Sequence, residues 1–242
     1  MQGNLIAIVI LSSLISLIGT MIGASLGILI KKPSNKVLSN VIGFAGGLML
    51  AVIVFDLIPE AVERVNLMGT VAFSFIGMTC IIILDNTFGN NNFCKDKHLK
   101  VALMTALGLM LHNLPEGIVM GCGFLAGGTL GLKMSVIIAI HDIPEGIAIS
   151  APMMASRIKP IRIMLYALIT ASPTAVGAVI GITTAGVSKN SLGACLAFAS
   201  GIMLYVVCGE MIPESSKLWN GIAGTVGVLS GFLLGFILTQ LL

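Results

Sequence analysis

Charge is what this sequence has least of. Only 10% of its 242 residues are Asp, Glu, Lys or Arg, where a soluble domain carries about a quarter. Too little polar surface is left to coat a particle in water, which excludes a freestanding soluble domain. Aromatics are scarce too, at 5% with a single Trp. No GxxxxGK[ST] loop occurs, which speaks against ATP-driven transport within the chain. The five cysteines, Cys80, Cys94, Cys122, Cys195 and Cys208, form no CxxC pair, and four of them fall inside apolar runs. They read as membrane-core residues and not as a disulfide framework. The N-terminal segment lacks a basic start, and its apolar run is too long for a signal peptide.

What remains is apolar and small. Hydrophobic residues make up 57% of the chain and 29 residues are Gly; the mean hydropathy is +1.07. A helix crosses the hydrocarbon core in about 20 residues. Eight such stretches fit, near 4–30, 36–61, 66–86, 99–126, 130–155, 159–186, 190–214 and 217–241. The expected fold is therefore an all-α polytopic membrane protein, with residues 1–242 forming one transmembrane domain. Only "DNTFGNNNFCKDKH" at 85–98 exceeds a tight turn, so no soluble catalytic domain fits and no organic cofactor is expected. Glycine-rich faces such as "GFAGG" and "GTVGVLSGFLLG" permit close packing within one chain or in a homodimer.

The cations orient the chain. With eight helices the loops alternate sides, and ten of the thirteen cations fall on one side: Lys31, Lys32, Lys36, Lys95, Lys97, Lys100, Arg157, Lys159, Arg162 and Lys217. Arg64, Lys133 and Lys189 fall on the other. The positive-inside bias then puts both termini outside the cytoplasm. The net charge of +3 is a topology signal and needs no nucleic-acid partner.

Two segments repeat. "FAGGLMLAVIVFDLIPEA" at 44–61 aligns without a gap on "FASGIMLYVVCGEMIPES" at 198–215, matching Asp56 with Glu210, Pro59 with Pro213 and Glu60 with Glu214. These are the second and seventh helices, which cross in opposite directions. That is the signature of an inverted repeat, helices 1–3 against 6–8, of the kind transporters use. The four acids lie toward helix ends, where solvation is their ordinary state. Asp85 and Glu63 read as interfacial charges, and Lys95, Asp96, Lys97 and His98 as a short polar loop.

A polar sentence also occurs twice, 29 residues apart: "LHNLPEGIVMG" at 111–121 and "IHDIPEGIAIS" at 140–150. Ionisable residues at mid-membrane cost about 2.5–3.5 kcal/mol each on insertion scales and mark function. His112 and Glu116 share a helix face at i,i+4, with Asn113 and Glu116 at i,i+3. His141, Asp142 and Glu145 repeat that geometry. Imidazole and carboxylate together suit zinc and other first-row divalent ions, and a bound cation offsets the burial of the acids. Pro115 and Pro144 each remove a backbone donor, so each helix is expected to kink and expose a carbonyl beside its histidine.

At these residues the sequence resembles the ZIP (Zrt/Irt-like) divalent metal transporters, in particular their bacterial GufA-like zinc branch. The resemblance runs through HNxPEG, HxxPEG, DLIPEA and EMIPES and covers essentially the whole chain. It implies a 3+2+3 arrangement with outside termini in a bacterial inner (plasma) membrane. It implies transport into the cytoplasm of zinc foremost, with iron, manganese or cadmium as alternatives. Carried over by motif, one metal is held by His112, Glu116, His141 and Glu145. A second uses Asn113 and Asp142, bridged by Glu116 and Glu145. Relatives commonly add a helix 6 glutamate before a proline; here Ser172 stands at that position, in "ITASPTAVGAVIG". Serine is a poor, neutral ligand, which weakens the second site. The resemblance also implies that helices 4 and 5 move with helices 1 and 6 relative to helices 2, 3, 7 and 8.

The competing reading is an intramembrane zinc hydrolase. HExxH enzymes place a general base beside the first histidine and a second histidine at i+4. Here Asn113 and Asp142 follow the histidines, proline precedes each glutamate, and no histidine follows at i+4. No catalytic residue is expected.

Overall fold

The computed structural model describes residues 2–30, 34–89, 110, 113–126, 129–155, 157–185 and 188–241. Described segments in chain order are α1 (Gln2–Ile30), α2 (Asn35–Val52), a π-helical turn (Ile53–Leu57), α3 (Ile58–Gly89) and α4 (113–126). Then come α5 (Thr129–Ala155), α6 (Pro160–Ala185), α7 (Lys189–Tyr205), a second π-helical turn (Val206–Met211), α8 (Ile212–Leu218) and α9 (Ala223–Leu241). No strand occurs among the described residues. Among the described residues the apolar runs form helices, while residues 99–109 of the expected fourth helix lie outside the described residues.

One boundary differs. The sequence ends the second helix at 61; in the structure the helix continues to 65 and breaks at a single residue, Asn66, with φ 62° and ψ 172°. Asn66 also caps the helical stretch on its C-terminal side, its Oδ1 accepting from the Gly69 amide at 3.0 Å. Asn35–Thr87 is thus an apolar stretch of 53 residues, about 80 Å if straight, against a hydrocarbon core of about 30 Å, and it is interrupted at that one residue. By length and composition, four more described segments can cross a membrane: Ser13–Ile30, Pro160–Thr184, Lys189–Leu218 and Ala223–Leu241. The surface agrees. Leu14, Ile18, Ile22 and Leu26 form an exposed apolar stripe at i,i+4 on α1, and Val226, Leu229 and Leu233 form one at i,i+3 and i,i+4 on α9. Inside, among apolar residues, Ser16, Asn113, Glu116, Asp142, Glu145 and Thr170 are buried, against the usual exposure of such polar and charged residues.

Packing divides the helices into two groups. In one, α2 lies along α9 and α3 along α7; in the other, α1 lies along α5 and also meets α6, and α4 joins α6; the groups touch where α2 meets α5 and α6 meets α7. Glycine brings backbones into contact in both. A Cβ on Gly47 would lie 2.0 Å from the Val228 carbonyl oxygen, and one on Gly231 2.0 Å from that of Phe44. The glycine faces open in sequence to either use are therefore occupied within the chain.

The repeat extends through these contacts. The spacing that pairs Phe44 with Phe198 also pairs Gly47 with Gly201, Ser74 with Val228 and Gly77 with Gly231. Gly47 abuts the Val228 carbonyl, and Gly201 abuts that of Ser74; Gly231 abuts Phe44, and Gly77 abuts Phe198. In the other group Gly23 abuts the Ile143 carbonyl and Gly177 that of Leu114. Both π turns fall at equivalent positions, ahead of Pro59 and Pro213.

Candidate metal centre

The two HxxPEG copies lie in α4 and α5. Four of their polar side chains are described, and all are buried: Asn113 at 3% exposure, Glu116 at 0%, Asp142 at 1% and Glu145 at 4%. His112 and the side chain of His141 lie outside the described residues. Among the described residues no three His, Cys, Asp or Glu gather closely enough to hold a metal ion. α5 stays helical through Pro144; ahead of Pro115, Asn113 and Leu114 are helical and residues 111–112 lie outside the described residues.

The glycine that closes each motif sets its depth. A Cβ on Gly117 would lie 2.0 Å from the Thr174 carbonyl oxygen, so α4 rests backbone-to-backbone on α6. A Cβ on Gly146 would lie 2.3 Å from the Thr20 carbonyl oxygen, so α5 rests likewise on α1. Around them Val119 and Met120 of α4 and Met134, Ile137 and Ile138 of α5 share one apolar core with Leu48, Ile53, Leu57, Leu196 and Met203. The acids therefore sit where a bare charge is costly.

Two hydrogen bonds fix the residue after each histidine. Asn113 donates through Nδ2 to the Thr170 carbonyl at 2.7 Å. Ser16 donates through Oγ to Asp142 Oδ2 at 2.6 Å. Ser172, expected on the motif side of the sixth helix, is exposed and bonds back to the Ile169 carbonyl at 2.8 Å. It shares its face with exposed Leu165, Leu168, Ile169 and Val176. The polar side chains of α6 that are buried are Thr170 and Thr174, at 0% and 2% exposure.

Three outlying acids are better held than their sequence positions indicate. Asp56 is not at a helix end: it sits in the π turn within a continuous helix and pairs with Lys133 of α5 at 2.8 Å. The same ammonium donates to the Thr239 carbonyl of α9. Glu60 pairs with Arg64, whose guanidinium also donates to the Ala126 carbonyl at the end of α4. Asp85 is no plain interfacial charge, since it accepts from the Tyr205 hydroxyl at 2.8 Å. Glu210 is half-buried, while Glu63 and Glu214 are exposed. Cys80, Cys122, Cys195 and Cys208 are all free thiols, and the loop bearing Cys94 and His98 lies outside the described residues. The sequence motifs do not single out Ser16, Thr170 or Lys133. Extending the repeat spacing to the first and sixth helices, which sets Ser16 opposite Thr170, is the available signal for two of them.

An apolar exterior around helices with buried acids and amides defines a multi-pass membrane protein with a polar interior. The family model described as ZIP Zinc transporter matches residues 89–239, and the chain belongs to that family, one of transporters and not enzymes. Zinc transporter GufA of Myxococcus xanthus is 41% identical over 138 residues, covering 57% of this chain and 54% of that protein. The chain thus matches about half the length of that relative. Zinc transporter ZupT of Salmonella newport, like that of Salmonella heidelberg, is 29% identical over 230 residues, covering 88% of both chains.

Proposed function

We propose that this protein carries divalent metal, zinc foremost and iron, manganese or cadmium as alternatives, across the bacterial plasma membrane into the cytoplasm. The observation that carries this is a repeated polar sentence whose four described side chains, Asn113, Glu116, Asp142 and Glu145, are all buried in a family of zinc transporters. The metal passes as substrate through a midplane site between α4 and α5. His112, Glu116, His141 and Glu145 bind one ion. Asn113 and Asp142 serve a second, weaker one with Glu116 and Glu145 bridging.

Each residue type has its task. Carboxylates and imidazoles supply lone pairs to the incoming ion as it sheds water, and the ion's charge removes the cost of holding acids in an apolar core. The site opens to alternate sides as α1, α4, α5 and α6 move as a body against the rest. The close packing of α1 on α5 and α6, and of α2 on α9 and α3 on α7, supports such a division, with α2–α5 and α6–α7 as the contacts across which the two bodies would slide. So do the paired glycine contacts, since an inverted repeat supplies two related states facing opposite sides. The eight helices stand as 3+2+3, as the repeat and the family resemblance imply, with both termini outside on the strength of the cation distribution. Association as a homodimer would use the exposed apolar faces, the glycine faces being occupied within the chain.

The deciding experiment is zinc uptake into liposomes holding purified protein, beside a Glu116→Ala, Glu145→Ala variant. Saturable uptake by the parent and none by the variant is expected. Equal uptake by both would reduce the HxxPEG copies to scaffold. Zinc-dependent hydrolysis of a lipid or peptide without zinc movement would favour the hydrolase.

A further inference from the structure

The two motifs are alike at their histidines, prolines and glutamates but differ in the residue after the histidine, Asn113 against Asp142. The structure gives each a different partner, from equivalent places in the repeat. Ser16 of α1 stands at the spacing that leads to Thr170 of α6, just as Phe44 leads to Phe198. Thr170 offers Asn113 its backbone carbonyl. Ser16 offers Asp142 its hydroxyl. An amide needs an acceptor for its NH2, and a carboxylate needs a donor; each gets what its chemistry requires.

We propose that Ser16 is a positioning residue for metal binding, acting through Asp142; this rests on the transport reading above. Ser16 and Asp142 are each 1% exposed, so water does not compete for the bond. At 2.6 Å the O–H···O contact is as short as charge-assisted bonds are. It fixes the carboxylate plane by Oδ2 and thereby sets the direction in which Oδ1 faces. On the Asn113 side, the bond from Nδ2 fixes the amide so that Oδ1 is its remaining metal-binding atom. The two partners thus orient one oxygen per motif toward a shared ion. Such outer partners typically change metal affinity or activity about 10–100-fold when removed.

The test compares the full-length parent with Ser16→Ala and Ser16→Thr, threonine being the residue at the equivalent position 170. Zinc uptake into liposomes is measured as KM and maximal rate, and zinc affinity by titration of purified protein in detergent. Ser16→Ala is expected to raise KM and weaken binding about tenfold with the maximal rate within about twofold, and Ser16→Thr to recover most of the loss. A merely structural role would instead lower the maximal rate and the melting temperature, leave KM unchanged and deny rescue by Thr. That result overturns the inference, as do equal zinc affinities in parent and Ser16→Ala. If the parent moves no zinc yet Ser16→Ala still binds it about tenfold more weakly, the transport reading fails and the role of Ser16 stands.

Discussion

Lys133 and Asp56 are 77 residues apart in sequence, and the ammonium of one lies 2.8 Å from a carboxylate oxygen of the other. The pair joins α5 to the π turn behind α2, and so links the two packing groups. Both side chains are largely buried, at 12% and 10% exposure, and Asp56 Oδ2 has no hydrogen-bond partner among the described residues. Lys133 is therefore the main compensation for that acid. Lys133→Met is expected to cost about 3 kcal/mol, because it leaves a buried charge unpaired. Adding Asp56→Asn should restore part of the loss. Thermal melts in detergent of the two single variants and the double variant check this; additive losses would show that the residues do not couple.

Neighbouring glycines should respond differently. A Cβ on Gly47 would meet the Val228 carbonyl oxygen at 2.0 Å, whereas one on Gly46 would meet Met211 Cβ at 3.3 Å. Gly47→Ala must push α9 away from α2, at about 1–3 kcal/mol by the usual cost of overpacking. Gly46→Ala needs a shift of only a few tenths of an ångström between its Cβ and that of Met211, so it should cost clearly less than Gly47→Ala. Parallel melting curves of the two variants separate them, and equal losses would contradict the close contact.

Asn66 holds a backbone conformation, φ 62° and ψ 172°, that is nearly exclusive to glycine and costs other residues about 1–3 kcal/mol. Asn66→Gly removes that strain and loses only a few tenths of a kcal/mol of capping, so it should raise the melting temperature. Asn66→Ala keeps the strain and loses the bond to the Gly69 amide, so it should lower it. The order Gly, Asn, Ala in melting temperature is the expected result.

Protons and metal compete for the same imidazole and carboxylate lone pairs. Zinc KM for uptake should therefore rise as pH falls from about 7.5 to about 5.5, the range in which imidazole ordinarily titrates. The rate at saturating zinc should change less. Uptake assays at fixed free zinc in pH-clamped liposomes read this directly, and full occupancy at the acid end would count against simple competition.

The helices are legible in the sequence because a bilayer demands long uninterrupted apolar runs, and charge within such runs is conspicuous. Glu116 and Glu145 can be named for that reason, and their burial agrees. Partnership is less legible. Asp56 resembles a helix-end acid because Pro59 follows it, yet the helix continues and its cation comes from α5, a contact that no local pattern encodes. The phase of the sixth helix differs from the expectation at Ser172. The small residues Ala167, Ala171, Thr174 and Ala178, all buried, mark the packed face, and Ser172 falls outside it. The buried polar residues on that side of the helix are Thr170 and Thr174.

The repeat is matched in shape but not in charge. Glycine meets carbonyl in paired fashion in both packing groups, and Asp56 has Glu210 as its counterpart, but the position equivalent to Lys133 in the first motif helix is Met104. If transport proceeds by exchange between two related states, contacts alone leave those states close in energy, and the Lys133–Asp56 pair tilts the balance toward whichever state closes it. Each 1.4 kcal/mol or so of that tilt is about a factor of ten in the waiting population. A seesaw built to balance carries one weight, and the resting bias of the molecule becomes adjustable at a single side chain remote from the metal.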